Sequence, residues 1–204
     1  MPLPAVGIFV GGRGMRMGGV QKGLLLHEGR PLVDRIIEAC RSAAAPDASL
    51  CVYLVGNAAA YVDTALPRLA DDPPHVGPMG GMRALLLEAR RLGLDAVALA
   101  VDQPYASAAL LRRLYCEEAG AAALGPREGG LWQPLFARYR PELALPWIET
   151  ALAARRGSLQ LIFEGLASTE ERPAELVVSD AERLTLRDWD RPSDMDGTVP
   201  DTEP

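Results

Sequence analysis

Three cysteines, two histidines and no long apolar run mark the 204-residue sequence by their scarcity. Cys40, Cys51 and Cys116 are widely spaced and form no CxxC. That pattern suggests neither a disulfide framework nor a zinc site, and it points to a reducing compartment with buried thiols acting as small hydrophobes. His27 and His75, both read as surface or loop residues, leave few candidates for an imidazole acid–base mechanism. No window approaches the roughly 18 apolar residues of a membrane span. The start, MPLPAVGIFVGG, has no basic leader and too short an apolar run for a signal peptide. A cytoplasmic protein without a membrane partner is expected. A net charge of -6 and a pI near 5 argue against a protein that coats nucleic acid.

What is present is alternation. Ala5 to Val10, Leu50 to Val55 (LCVYLV) and Leu94 to Val101 (LDAVALAV) read as buried strands. Between them, Leu32, Val33, Ile36, Ile37 and Cys40 recur at helical spacing, with Pro31 as the first helical residue. A second helix runs from Met82 to Leu92, after a tight loop at Gly77-Pro78 and Gly80-Gly81, and closes at Gly93. Ser107 caps a third, bearing Leu110, Leu111 and Leu114. AAAL and LWQPLFARY are strand-like, and Pro141 opens a helix that Pro146 shifts or kinks. Ser158 to Leu166 reads as a short helix and ELVVS (Glu175 to Ser179) as a late strand. This order indicates an α/β sheet with helices on both faces and ligands at the carboxyl ends of its strands. Residues 1–194 are expected to form one domain. Residues 195–204, polar, acidic and Pro-containing, are expected to be a disordered tail.

The first strand runs into GIFVGGRGMRMGGVQKG, Gly7 to Gly23, which holds two arginines, a lysine and no acid. Glycines at Gly11, Gly12, Gly14, Gly18 and Gly19 let backbone N–H groups close around an anion. Arg16 and Lys22 add cations able to reach phosphate oxygens. The P-loop pattern fails, because Gln21 precedes Lys22 and Gly23 follows it. The dinucleotide pattern also fails, because Met17 stands in the third glycine position.

What fits is GG-x3-RMGG-x2-K directly after a strand, continuing into EGRPLVDRII. This stretch resembles the molybdenum cofactor guanylyltransferase family, whose pattern is roughly LAGG-x3-RMG-x2-DK-x-LL. The likeness continues through LADDPPHVGPMGGM, LAVDQPYA, LWQPLFARYR, RGSLQLIF and LRDWDRPSDM, so that it covers roughly residues 5 to 195. It implies a three-layer α/β/α nucleotidyltransferase fold with a mostly parallel mixed sheet, Rossmann-like and glycosyltransferase-A-like. It also implies transfer of GMP from GTP to the phosphate of molybdopterin or molybdenum cofactor, with release of pyrophosphate and with Mg2+ as cofactor. Contact with other cofactor-biosynthesis proteins or molybdoenzymes is implied as well.

Carried onto this chain, the resemblance makes Arg16, Lys22 and Asp102 the catalytic candidates. Phe9, Val10, Gly11, Gly12, Lys22, Asp71 and Asp102 become the nucleotide-binding candidates. Asp102 and Asp190 become the metal ligands, Asp190 pairing with Asp188 in the closing acidic segment. Departures are Gln21 for the usual Asp, Gln133 for a common His, Arg191 for a common Thr, and Phe9-Val10 for Leu-Ala. They leave the phosphate and metal logic intact and bear on the base and the acceptor. Three other readings stay open on residues alone: the same chemistry with CTP or another phosphorylated acceptor, a nucleotide- or cofactor-binding module without turnover, and, lower, a dinucleotide-dependent oxidoreductase.

Overall fold

In the computed structural model, residues 2–11, 20–189 and 194 are described. Gly12, Arg16, Asp190 and the 195–204 segment lie outside them.

Each central strand feeds two cores. In β1 (Ala5–Phe9), Val6 and Ile8 point into one apolar cluster while Ala5 and Phe9 point into the other. A small hairpin follows, β2 (Leu26–His27) with β3 (Arg30–Pro31), and then α1 (Leu32–Ala43). β4 (Val52–Val55) repeats the division: Val52 and Leu54 go to one side, Tyr53 and Val55 to the other. β5 (Arg68–Leu69), α2 (Pro78–Leu92), β6 (Ala96–Ala100) and α3 (Ala108–Cys116) come next. β7 (Ala123–Gly125) leads to a second hairpin, β8 (Arg127–Glu128) and β9 (Leu131–Trp132), and to β10 (Phe136–Tyr139). The described chain closes with α4 (Pro141–Ala153), α5 (Gln160–Leu166), β11 (Ala174–Glu175) and α6 (Asp180–Arg183).

Seven strands form one sheet in the order β11-β7-β10-β6-β1-β4-β5. All neighbours are parallel except β10, which runs against both β6 and β7. Apolar residues of α1 and α3 cover one face, and those of α2, α4 and α5 cover the other. Burial on both faces explains why the strands read as continuous apolar runs. The expected mostly parallel, three-layer α/β/α fold is therefore borne out. Among the described residues, no helix is long and apolar enough to cross a membrane.

Arg138 is the polar exception inside the sheet, 1% exposed on the reversed strand β10. Its guanidinium donates to the carbonyls of Leu114 and Tyr115 (both 3.0 Å), Glu117 (2.7 Å) and Glu118 (2.8 Å). It thereby satisfies the Leu114 and Tyr115 carbonyls, which the end of α3 leaves without a helical partner, and ties down the turn that follows. Burial lowers the pKa of this guanidinium, and Asp95, 3.5 Å away, opposes the shift.

Several local expectations change. Pro31 is the cap before α1 and pairs with Leu26, so the helix starts at Leu32. The second strand begins at Val52 rather than Leu50. Ser107 does cap α3, accepting from the Leu110 N–H at 3.2 Å, and Gly93 closes α2 in the left-handed region. LWQPLFARY divides into β9 and β10, because Pro134 has no N–H to give a ladder. ELVVS contributes only Glu175 to a strand, since the partner β7 ends at Gly125 and Pro126 follows. Of the thiols, Cys40 is buried, and burial pushes its pKa up to about 12. Cys51 is half-buried and Cys116 exposed, against the expectation of buried thiols, and all three are free. His27 is not a surface residue: its ring packs edge-on against Tyr105 and Trp189.

Candidate active site

The parallel neighbours β1, β4 and β6 deliver their carboxyl ends to one edge of the sheet. Phe9 and Val10 bury their side chains in opposite cores, with the Phe9 carbonyl accepting from Val101 (3.2 Å) and the Val10 N–H donating to Val55 (3.1 Å). Past β1 the chain becomes exposed at Gly11, beside Gly56 and Asn57 beyond β4. Asp102 follows β6 by two residues, with its backbone carbonyl accepting from the Trp189 N–H at 2.9 Å.

Lys22 reaches this edge from a single helical turn, Lys22–Leu24. Its Nζ lies 2.7 Å from Asp102 Oδ2, with both side chains about four-fifths shielded from water. Such a pair is screened less than an exposed one, whose worth is about 0–1 kcal/mol. What fixes the turn is Tyr61, 2% exposed. Its hydroxyl accepts from the Gly23 N–H at 3.2 Å, and an added Cβ on Gly23 would come within 2.8 Å of the ring. Only glycine permits that approach. Burial raises the Tyr61 pKa; the Gly23 hydrogen bond works against this and the nearby Asp102 charge adds to it.

A second group forms on the other side of β1. Asp71 follows β5, and its carboxylate faces the first turn of α2. The glycines there correct the expected loop, because Gly80 and Gly81 are helical and α2 begins at Pro78. A Cβ on Gly81 would sit 3.0 Å from both Asp71 Oδ1 and the Phe9 ring, and one on Gly80 would run into the Pro73 carbonyl. The Asp72 N–H donates to the Gly80 carbonyl at 3.1 Å, and the Asp72-Pro73 peptide is cis. Desolvation raises the Asp71 pKa, opposed by the positive charge on His75 when protonated.

A cavity of about 340 Å³ opens beside Asp102. Its lining includes Gln103, Gln133, Leu135, Leu159, Gln160 and Asp188. Gln133, one of the departures from the family pattern, lines this space. Of the sequence candidates, Lys22 and Asp102 meet directly, and Phe9, Gly11 and Asp71 gather around Gly56 and Gly81. Gly12, Arg16 and Asp190 lie outside the described residues. Tyr61 and Gln103 were not singled out. No motif marks a lone tyrosine in a loop, whereas the position of Gln103 directly after Asp102 was a usable signal.

Fold and site together define the class: an α/β nucleotidyltransferase, with a cation and a carboxylate facing each other where the parallel strands end. More particularly, the chain belongs to the MobA-like NTP transferase domain family, whose model matches residues 6–170. It is 36% identical over 161 residues to the molybdenum cofactor guanylyltransferase of Pseudomonas putida, spanning 78% of this chain and 82% of that one. Among solved structures, molybdopterin-guanine dinucleotide biosynthesis protein A from Archaeoglobus fulgidus is similar with a TM-score of 0.72 at 22% identity, covering 94% of this chain and 95% of the other. The 2-C-methyl-D-erythritol 4-phosphate cytidylyltransferase from Thermus thermophilus gives 0.63 at 18%, covering 95% of each. These two likenesses are of fold.

Proposed function

We propose that this chain transfers a guanylyl group from GTP to the phosphate of molybdopterin and releases pyrophosphate. The observation that carries the reading is the Lys22–Asp102 pair at the carboxyl end of the central strands, in a chain 36% identical to a guanylyltransferase of that cofactor. An oxygen of the acceptor phosphate attacks the α-phosphorus of GTP. A new P–O bond forms, the bond from the α-phosphorus to the bridging oxygen breaks, and pyrophosphate leaves with that electron pair. The acceptor is already anionic, so no side chain has to remove a proton.

The work of the protein is then positioning and charge neutralisation. Lys22 turns from Asp102 to the triphosphate and offsets charge on the leaving pyrophosphate, together with Arg16. Backbone amides at Gly11 and Gly12 hold phosphate oxygens. Asp71, beside Gly56 and Gly81, contacts the nucleotide on the Phe9 side. The acceptor lies in the cavity beyond Asp102.

A divalent cation fits this donor set. Mg2+ takes one or two carboxylates along with substrate phosphates, and Asp102 supplies a largely shielded carboxylate of that kind just past the carboxyl end of β6. Asp102 and Asp190 would hold Mg2+, which, when bound, supplies Lewis-acid neutralisation of the α-phosphate charge.

Incubation of the protein and molybdopterin with each of four α-labelled nucleoside triphosphates tests the reading. Label should pass from GTP to the acceptor with one pyrophosphate released per transfer. Transfer from CTP alone, or nucleotide binding without any transfer, would overturn it.

A further inference from the structure

The cavity beside Asp102 contains three glutamines, and two of them are already engaged by the protein. Gln160 braces the β8–β9 hairpin, its Oε1 accepting from the Trp132 N–H at 3.3 Å and its Nε2 donating to the Trp132 carbonyl at 2.8 Å. Gln133 donates through Nε2 to Glu128 of the same hairpin at 3.4 Å. Gln103 differs. It is 6% exposed, yet its Oε1 has no hydrogen-bond partner among the described residues.

A buried amide oxygen without a partner is costly to the folded state, and most such groups in native proteins are satisfied. Folding alone gives no reason for a primary amide here, since an apolar side chain of the same length would avoid the cost. A ligand gives one. Gln103 lines the cavity, and a turn of its side chain would present the amide acceptor and donor there side by side; the walls next to it include the apolar residues Pro134, Leu135 and Leu159. A flat heterocycle whose edge sets N–H donors beside a carbonyl or ring nitrogen suits both features.

The 2-amino-4-oxopyrimidine edge meets that description, and it occurs in pterins and in guanine alike. Position decides between them. Asp102 and Pro78 border this cavity, but Phe9, Gly11, Asp71 and Gly81, which form the group on the nucleotide side, do not line it, whereas Gln133, Ser158 and Gln160 do. The geometry points to Gln103 as the specificity-determining residue for the acceptor, reading the 2-amino-4-oxo edge of its pterin ring. This rests on the guanylyl-transfer reading given above and adds the group through which the acceptor is chosen.

Gln103→Met keeps the volume and removes the amide. Acceptor KM in guanylyl transfer to molybdopterin should rise roughly tenfold or more, as expected for a site built to pair polar edges, while kcat at saturating acceptor and the affinity for GTP stay within about threefold. The ligand-free variant should melt no lower than the parent, because a buried unpartnered group has been removed. Fluorescence titration supplies a readout without turnover. The parent protein should bind neopterin phosphate more tightly than the lumazine counterpart, which lacks the 2-amino group, and Gln103→Met should bind the two equally.

An unchanged acceptor KM with retained pterin-over-lumazine preference overturns the proposal while leaving guanylyl transfer standing. So does weakened GTP binding with normal acceptor use, which would assign the edge to guanine. A lowered melting temperature with both substrates weakened would make Gln103 structural and overturn it as well. A parent protein that moves no guanylyl group to molybdopterin overturns the underlying reading, and this one with it.

Discussion

Lys22 carries a compact cation on a flexible stem, and Tyr61 fixes the base of that stem by clamping Gly23. The backbone at the base of the stem is therefore held in place. In the structure the tip meets Asp102 at 2.7 Å; with nucleotide bound it would meet phosphate. A charge-assisted hydrogen bond of this sort contributes about 1.5–3 kcal/mol. Lys22→Ala should accordingly weaken GTP binding by roughly 10- to 150-fold, measured calorimetrically, with only a small change in melting temperature. Undiminished GTP affinity would place the phosphates elsewhere. Lys22 and Asp102 were legible in the sequence because each stands in a short stretch where charge and glycine or proline are concentrated. Tyr61 was not, since its role comes from a contact 38 residues distant along the chain, made by a side chain that resembles any core tyrosine.

The start of α2 shows how an element can be placed correctly and begun wrongly. Its apolar spacing from Met82 to Leu92 was plain, but Gly80 and Gly81 suggested a loop because glycine is a poor helix former. The helix nevertheless includes them, and they are glycines because neighbouring groups leave no room for a Cβ: the Pro73 carbonyl crowds Gly80, and Asp71, Phe9 and Val55 crowd Gly81. Gly→Ala inside a helix ordinarily stabilises by roughly 0.5–1 kcal/mol. Gly80→Ala should do the reverse, costing about 1–3 kcal/mol by overpacking against a backbone oxygen. A thermal melt checks this, and a raised melting temperature would mean that the 72–77 loop yields without strain. The other boundary errors have similar origins. Pro134 and the short β7 end strands through missing ladder partners, a three-dimensional fact that alternating apolar residues do not encode.

Across the chain as a whole, the layers were legible because burial on both faces imposes apolar runs, and because helices recur between them at 3.6-residue spacing. The reversed strand β10 was not, since direction leaves no mark in composition. On it sits Arg138, whose guanidinium holds the carbonyls at the end of α3. The parallel strands matter most for function: by ending together they set Gly11, Gly56 and Asp102 along one edge, with Lys22 brought in from a turn. The central claim is that this edge receives the triphosphate and that Lys22 leaves Asp102 to do so. A crystal structure with Mg2+ and a non-hydrolysable GTP analogue tests it most directly. The account predicts Lys22 Nζ on a phosphate oxygen, with Asp102 turned to the metal ion. An intact Lys22–Asp102 pair with the analogue bound at another edge of the sheet would contradict it.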